Sequence, residues 1–384
     1  MHVVYVTTNF VENMGPTQGL PKYLLRVALT LVGWGHKVSV ITCSNRTVEY
    51  SFCGIKVYRV RRPNIVLCGD EEKDTRAQCY RDGMITNDML KKLIEKETID
   101  IIQYVSLCGL AIFHDNDIPA VMRLSSYASL WPVPGHEIAQ DVYAWFERNA
   151  SEKCDAVFGP SRFVADRFAS DIGRKVDVIE TPFVMENEVE DLSIYKEFLY
   201  NKKYILFFGT IIGYKGLLTI AESIYDILNK HRDVEYVLIG NGDKRIIDRI
   251  KKEAAEYGER VHYFEAISFE KLKPIIRNSF FVTLPSLAEN FANACVEAMA
   301  LESIVIGTNG TSFEQLIDDG INGLLCEPNN PSSFVSTVDR ALSMSKLEQD
   351  KMRKEAANRA KRLEPEIVVR DLLEYYRHII ACHN

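Results

Sequence analysis

Strand and helix signals alternate along the whole chain, and this alternation limits the fold more than any other feature of the sequence. Short apolar runs typical of buried strands are followed by longer segments with apolar residues at helical spacing. Strands that alternate with helices in this way build parallel sheets with helices packed on their faces. The sequence therefore predicts an α/β fold made of Rossmann-like, doubly wound parallel sheets.

The alternation falls into two series of similar length. Strands of the first series are predicted at residues 2–8, 37–42, 56–60, 101–104, 120–123, 156–159 and 176–179, with helices that include 84–97 and 161–169. Strands of the second series are predicted at 204–209, 234–240, 261–264, 280–284 and 304–308. The acidic segment 186–191 between the series is typical of an exposed connection. We expect two domains, at 1–185 and 186–365, whose strand carboxyl ends face each other across a cleft.

Composition supports this organisation and narrows the classes of function. A chain of 384 residues is too long for one ordinary core, and 47% hydrophobic and 26% charged residues are globular values. The formal net charge of -7 argues against nucleic acid as the main partner. No uninterrupted apolar run reaches the roughly 20 residues of a membrane span, and the chain opens with a strand rather than a cleavable signal, so we expect a cytoplasmic protein.

No motif of the sequence predicts a metal site. The nine cysteines contain no C-x-x-C pair, which argues against a metal cage and a disulfide framework. The D-x-D of Asp115 and Asp117 precedes Ile118-Pro119 and is more typical of a turn than of a metal site.

Two carboxylates flank the start of a predicted helix in the segment 285–300. A strand is predicted at 280–284 and a helix at 292–300, which puts Glu289 in the turn between them. Glu297 should then lie about two turns into the helix, roughly 10 to 12 Å further along its axis. The two acids could bind hydroxyls of two different rings, although an acidic turn before an ordinary helix gives the same spacing by chance.

Backbone N–H groups between these acids complete the pattern. The free N–H groups of Asn290, Phe291 and Ala292 are expected near the helix start, where they could face a phosphate. Two rings joined through phosphate have the shape of a nucleotide-sugar.

Glycine-bearing turns follow several predicted strands. In the segment 208–216, glycines allow a ligand to approach the backbone, and Lys215 lies where a cation could meet a diphosphate. The segment matches neither G-x-G-x-x-G nor G-x-x-x-x-G-K-[ST], and a loop with a solvated lysine explains it equally well. Gly15 and Gly19 flank the first strand-to-helix turn, and Gly242 follows the strand at 234–240. Together these turns would line one cleft.

With these residues assembled, the chain resembles the family 4 glycosyltransferases of the two-domain GT-B architecture over most of its length. The resemblance is carried by Gln18-Gly19-Leu20-Pro21, Gly35-His36-Lys37-Val38, Gly159-Pro160-Ser161, Lys215-Gly216, Gly240-Asn-Gly242, the block 285–300, and Thr308-Asn-Gly310 through Asn322-Gly-Leu-Leu325. These motifs occur in the order and at the spacings of the family.

The resemblance implies a role for each matched residue. Glu289 would contact the transferred sugar, Glu297 the ribose hydroxyls and Lys215 the diphosphate. Further donor-binding positions are the backbone of Asn290, Phe291 and Ala292, the glycines Gly19 and Gly242, Thr210, and Ile267 beside the base.

The resemblance also implies the kind of reaction. The family retains anomeric configuration, uses a nucleotide-diphosphate-sugar as co-substrate and generally works without a bound metal or another cofactor. The acceptor would be a carbohydrate or a lipid-linked hydroxyl, as in surface polysaccharide or glycolipid assembly, and peripheral membrane contact would follow from a lipid-linked acceptor. The last helix, at 366–384, would pack back on the first domain.

Two positions depart from the family pattern. Thr210 stands where many members have an arginine five residues before the lysine, and Leu124-Ser-Ser126 stands where many have a histidine. Ser125 and Ser126 are therefore the acceptor-side candidates. These departures keep two other interpretations open: a non-catalytic GT-B scaffold that binds a partner, and a GT-B epimerase or phosphorylase.

Overall fold

The computed structural model describes residues 1–10, 19–131, 135–185 and 189–383, which fold into two units. Unit 1 comprises Met1–Val184 and Leu363–Asn384, and unit 2 comprises Met185–Arg362. Gly15 and the first residues of the acidic segment, at 186–188, lie outside the described residues. The end of that segment pairs with unit 2, since Glu190 contacts Arg277 at 3.1 Å.

Unit 1 contains an eight-stranded sheet in the order β3-β4-β2-β1-β5-β6-β7-β8. Its strands are β1 (His2–Thr7), β2 (Lys37–Ser44), β3 (Val48–Phe52), β4 (Ile55–Arg61), β5 (Ile101–Val105), β6 (Ala120–Arg123), β7 (Ala156–Gly159) and β8 (Asp177–Val178). Every neighbouring pair is parallel except β3 with β4. The seven strands predicted for this series are confirmed. The edge strand β3 was not predicted because its side chains are only half-buried or exposed, so it lacks an apolar run.

Four helices follow in the first part of the chain, namely α1 (Gly19–Gly33), α2 (Glu71–Ile94), α3 (Glu137–Ser151) and α4 (Arg162–Ile172). The predicted start of α2 at residue 84 is wrong by more than three turns. The first half of α2 is polar and shows no apolar stripe, but Asp70 caps it by accepting a hydrogen bond from the N–H of Lys73 at 3.0 Å. Ser161 occupies the predicted N-cap position of α4.

Unit 2 contains a six-stranded parallel sheet in the order β11-β10-β9-β12-β13-β14. Its strands are β9 (Lys203–Phe208), β10 (Val234–Ile239), β11 (Val261–Phe264), β12 (Phe281–Thr283), β13 (Val305–Thr308) and β14 (Leu324–Cys326). Its helices are α5 (Leu217–Lys230), α6 (Lys244–Glu253), α7 (Phe269–Asn278), α8 (Asn293–Ala300), α9 (Pro331–Leu342) and α10 (Lys346–Lys361). The five predicted strands are confirmed, and β14 was not predicted because it has only three residues.

Both sheets reverse their strand order at one point. In unit 2 the chain runs from β9 outward to β10 and β11, then returns to the other side of β9 with β12. In unit 1 the corresponding reversal lies between β1 and β5. Open parallel sheets bind ligands at the carboxyl ends of the strands beside such a reversal. The loops after β9 and β12 are therefore the first place to look for a site in unit 2.

The last helix, α11 (Pro365–His383), belongs to unit 1. Its apolar face, which includes Val369, Leu372 and Tyr376, joins the core formed by α1 and one face of the sheet. The Tyr376 hydroxyl donates to the side-chain oxygen of Gln103 on β5. None of the helices in the described part of the chain is long and apolar enough to cross a membrane.

Candidate active site

The loops after β9 and β12 are joined through their backbones. The N–H of Leu287 donates to the carbonyl of Tyr214 at 2.8 Å. At Gly216, which has a φ of 76°, an added Cβ would lie 1.8 Å from the carbonyl oxygen of Pro285. Only glycine allows this approach, because L residues rarely adopt that φ and no atom fits at that distance. The close packing fixes Lys215, the residue before Gly216, beside the loop that carries Glu289.

Lys215 and Glu289 form an ion pair at this point. The Lys215 Nζ lies 2.5 Å from Glu289 Oε1, and the two side chains are 25% and 14% exposed. Lys215 ends a 3-10 turn, Gly213–Lys215, that leads into α5, whereas Glu289 lies in the loop before α8. The structure thus brings together the two residues that separate motifs singled out as catalytic candidates. The pair remains accessible enough for a ligand to reach it.

Buried hydroxyl groups hold the Glu289 carboxylate from below. The Ser286 hydroxyl donates to Glu289 Oε1 at 3.0 Å, and the Thr308 hydroxyl donates to the Ser286 carbonyl at 2.6 Å. The Thr311 hydroxyl lies 3.2 Å from that of Thr308. Sequence reasoning assigned no role to these three side chains, although Ser286 lies within the block 285–300 and Thr308 begins the last motif.

The contacts of Glu289 divide unequally between its two oxygens. Lys215 and Ser286 both bind Oε1, and no described residue binds Oε2. A carboxylate oxygen that accepts no hydrogen bond from the protein can accept one from a ligand hydroxyl. The geometry therefore fits the predicted contact between Glu289 and a sugar.

The helix after Glu289 begins later than the sequence predicts. Helix α8 starts at Asn293, with Ala292 at the N-cap position, so Glu289 lies in the loop and not at the helix start. Glu297 is the fifth residue of α8, a little over one turn into the helix, and is half-buried. The predicted two turns is wrong because residues 289–292 are not helical.

Backbone N–H groups do precede this helix. Neither the N–H of Phe291 nor that of Ala292 has a hydrogen-bond acceptor among the described residues, and Asn290 is half-buried beside them. The N–H groups of the first turn of α8 also point away from the helix body, which carries a partial positive charge at this end.

The other predicted donor-side residues occupy loops at the same edge of the sheet. Thr210 is exposed in the loop after β9, and Ile267 is half-buried in the loop after β11. Gly242 follows β10, and an added Cβ there would lie 2.0 Å from the carbonyl oxygen of Ile211. Packing against Ile211 explains the glycine, and donor binding by Gly242 stays a prediction.

The predicted residues of unit 1 lie in two different loops. Gly19 is the exposed first residue of α1. Ser125 and Ser126 follow β6 and are half-buried. Their roles stay predictions. Among the described residues, no group of three or more His, Cys, Asp or Glu side chains could hold a metal ion.

Comparison with known proteins places this site in a family. The glycosyltransferase family 4 model matches residues 17–184, and the model named glycosyl transferases group 1 matches residues 192–362. The chain belongs to glycosyltransferase family 4. Together the two models cover most of this glycosyltransferase, and the second contains both Lys215 and Glu289. The resemblance drawn from the sequence motifs is confirmed.

Relatives of this glycosyltransferase are distant. An uncharacterized glycosyltransferase of Methanocaldococcus jannaschii is 25% identical over 350 residues, which are 85% of this chain and 85% of the relative. The alpha-D-kanosaminyltransferase of Streptomyces kanamyceticus is 24% identical over 258 residues, 62% of this chain and 65% of the relative.

Solved structures show the same fold. Sucrose-phosphate synthase from Thermosynechococcus elongatus superposes with a TM-score of 0.76 at 15% identity, covering 100% of both chains. A trehalose-6-phosphate structure from E. coli bound with UDP-2-fluoro glucose gives a TM-score of 0.74 at 13% identity, covering 98% of this chain and 99% of that one. The fold of this glycosyltransferase is therefore GT-B, with two Rossmann-like domains, as the sequence predicts.

Proposed function

We propose that this glycosyltransferase moves a sugar from a nucleotide-diphosphate-sugar to an acceptor hydroxyl, with retention of anomeric configuration and without a resident metal. The observation that carries the proposal is the Lys215–Glu289 ion pair at the strand reversal of unit 2. A cation and an acid at that point match the two chemical needs of the donor: a diphosphate that leaves and a sugar that must be oriented.

The leaving diphosphate would be stabilised by positive groups that are already in place. The Lys215 ammonium would share its charge between Glu289 Oε1 and a phosphate oxygen. The N–H groups of Phe291 and Ala292, with the positive end of α8 behind them, would donate to another oxygen. Such fixed donors cost little reorganisation when charge develops, which is why one of them contributes about 3 to 4 kcal/mol in other enzymes.

Glu289 would orient the transferred sugar through Oε2, the oxygen that no described residue binds. Glu297 would bind the ribose hydroxyls, and Ile267 would contact the base. No separate general base is required if the departing phosphate oxygen takes the proton of the acceptor hydroxyl. Both reacting oxygens then lie on the same face of the sugar, and the anomeric configuration is retained.

The acceptor is proposed to be a carbohydrate or a lipid-linked hydroxyl, with Ser125 and Ser126 on the acceptor side. The names of relatives support both kinds. One is the alpha-D-kanosaminyltransferase named above. Another belongs to the phosphatidylinositol N-acetylglucosaminyltransferase of Arabidopsis thaliana, and it is 22% identical over 357 residues, 90% of this chain and 75% of the relative. A lipid-linked acceptor would bring peripheral membrane contact.

A panel of UDP-, GDP- and ADP-sugars, scored by nucleotide release with and without sugar acceptors, tests the proposal. We expect one donor class to release nucleotide, a metal chelator to have no effect, and Glu289→Gln to lose at least 100-fold in kcat/KM. NMR of the product would show the donor's anomeric configuration. Equal rates for Glu289→Gln and wild type would refute the assignment of Glu289. Sugar conversion without any acceptor would indicate an epimerase instead, and nucleotide binding without product a scaffold.

Ser286→Ala is expected to lower kcat/KM about tenfold at unchanged fold. The substitution removes the hydroxyl that orients Glu289 but keeps the carbonyl to which Thr308 donates. A hydrogen bond to a charged group is worth about 1.5 to 3 kcal/mol, part of which would be lost in orientation. Steady-state kinetics and thermal denaturation measure the two effects separately.

Ser279→Ala is the matched control for Ser286→Ala. Ser279 is buried at the amino end of β12, where its hydroxyl donates to the carbonyl of Ile276 at 2.7 Å. We expect its loss to affect stability alone. Equal kinetic losses in both variants would mean that Ser286 acts only through the general stability of unit 2.

A further inference from the structure

The loop that follows β6 in unit 1 is held by a carboxyl group that no predicted mechanism uses. Residues 124–128 leave the carboxyl end of β6 and carry Ser125 and Ser126. Glu147, on α3, lies beneath this loop and is completely buried, with 0% exposure. No described lysine or arginine forms an ion pair with it, and a buried acid without such a partner is costly in its charged form. Its presence needs an explanation.

Three hydrogen bonds connect Glu147 to the loop. The N–H of Ala128 donates to Glu147 Oε2 at 2.9 Å. The Ser106 hydroxyl lies 3.1 Å from Glu147 Oε1, and it accepts from the N–H of Ser125 at 3.2 Å. The same hydroxyl also lies 3.1 Å from the carbonyl oxygen of Ser126.

The number of protons decides how these contacts can be satisfied. Ser106 has one hydroxyl hydrogen but two neighbouring oxygens, the carboxylate of Glu147 and the carbonyl of Ser126. If Glu147 is ionised, one of those two oxygens is left without this donor. If Glu147 holds a proton, it donates to Ser106, and Ser106 in turn donates to Ser126. Only the protonated acid satisfies every group, and unsatisfied buried groups are rare.

We propose that Glu147 is a positioning residue whose protonated carboxyl group, acting through Ser106, fixes the loop that carries Ser125 and Ser126. The acid and the serine form a relay between α3 and this loop at the carboxyl edge of the sheet, where parallel sheets bind ligands. The loop geometry therefore depends on one proton.

The surroundings of Glu147 are consistent with a neutral acid near pH 7. Burial raises the pKa of Glu147 to about 8, although the N–H of Ala128, the Ser106 hydroxyl and the Arg148 charge act in the opposite direction. Arg148 itself donates to the Tyr127 hydroxyl at 3.0 Å. The other titratable or charged groups on the elements packed around α3 are Cys79, Arg81 and Asp82 on α2, Cys108 after β5, Tyr143 on α3 and Asp171 on α4.

The pH dependence of unfolding tests this proposal. A folded-state pKa above the unfolded value stabilises the protein fully at low pH, and this contribution is lost as pH rises through the folded pKa. Between pH 5 and pH 8 the unfolding constant of wild type should therefore rise by on the order of 100-fold relative to that of Glu147→Gln. Glutamine keeps one donor for Ser106 and one acceptor for Ala128, as the protonated acid does, and cannot ionise.

Glu152→Gln is the matched control, because Glu152 is an exposed glutamate at the end of the same helix. Its unfolding constants should run parallel to those of wild type. A Glu147→Gln variant that is destabilised equally at every pH would overturn the proposal, since that result requires an ionised Glu147.

Infrared spectroscopy keeps the proposal testable if Glu147→Gln does not fold. Wild type at pH 6.5 should show the carbonyl band of a protonated carboxylic acid, and this band should disappear by pH 9.5. Absence of the band at pH 6.5 would refute the proposal. Neither measurement uses sugar transfer, so a failure here is distinct from a failure of the proposed function. Where transfer is measurable, wild type should lose activity above about pH 8 and Glu147→Gln should not.

Discussion

Replacement of Lys215 by methionine is expected to lower kcat by about 100- to 1,000-fold, the cost of one lost donor to a developing anion. Methionine keeps much of the side-chain length and apolar stem but removes the only described ammonium in contact with Glu289. The loss should fall on kcat more than on KM, because the diphosphate charge is greatest in the transition state. Initial rates of nucleotide release over a range of donor concentrations measure both constants.

Lys203→Met is the control for this loss. Lys203 begins the same strand, β9, at its amino end and pairs with Asp233 at 3.1 Å. This pair is far along the strand from the loops that carry the site, so its loss should leave kcat unchanged. A Lys215→Met enzyme with wild-type kcat would exclude Lys215 from leaving-group stabilisation and with it the main argument for the mechanism.

Gly216→Ala is expected to destabilise unit 2 by roughly 3 kcal/mol and to abolish donor binding. An alanine Cβ would lie 1.8 Å from the Pro285 carbonyl oxygen at a φ of 76°, so the backbone has to move. Left-handed φ costs roughly 1 to 2 kcal/mol for a non-glycine residue, and forced overpacking typically costs another 1 to 3. The movement would separate the loops that carry Lys215 and Glu289. Calorimetry should show a fall of about 6 to 12 °C in the melting of this unit.

Gly213→Ala separates this effect from a general intolerance of the turn. An added Cβ at Gly213 meets no atom within 4 Å, and its φ is not in the left-handed range. We expect wild-type melting and donor binding for this variant. Normal donor affinity in Gly216→Ala would show that the contact with Pro285 does not set the geometry of the site.

Much of the fold follows from local patterns that a single sequence contains. Strands such as β1 and β9 are buried along nearly their whole length, and buried strands are apolar runs. The edge strand β3 and the first half of α2 have mixed or polar patterns, so apolar periodicity does not detect them. Helix α8 begins after the predicted start because residues before Asn293 bond to the loops and not to a helical turn.

The candidate site was predictable in its charged residues and not in the groups that position them. Lys215 and Glu289 stand out because each lies in a recognisable motif after a strand. Ser286 and Thr308 act across different strands, and a contact between residues 22 positions apart leaves no local signal. Glu147 was missed for the same reason: its neighbours Ser106 and Ala128 are distant in sequence or belong to another element.

The reversal of strand order in unit 2 has a consequence for biosynthesis. Lys215 and Glu289 are 74 positions apart, and β10 and β11 are both made between them. A nascent chain that has just emerged from the ribosome with β9 to β11 already contains the lysine, but it has no acid to pair with until β12 inserts on the other side of β9. The enzyme therefore acquires its donor pocket in one late step, when translation has passed residue 289 and the second half of the sheet has docked.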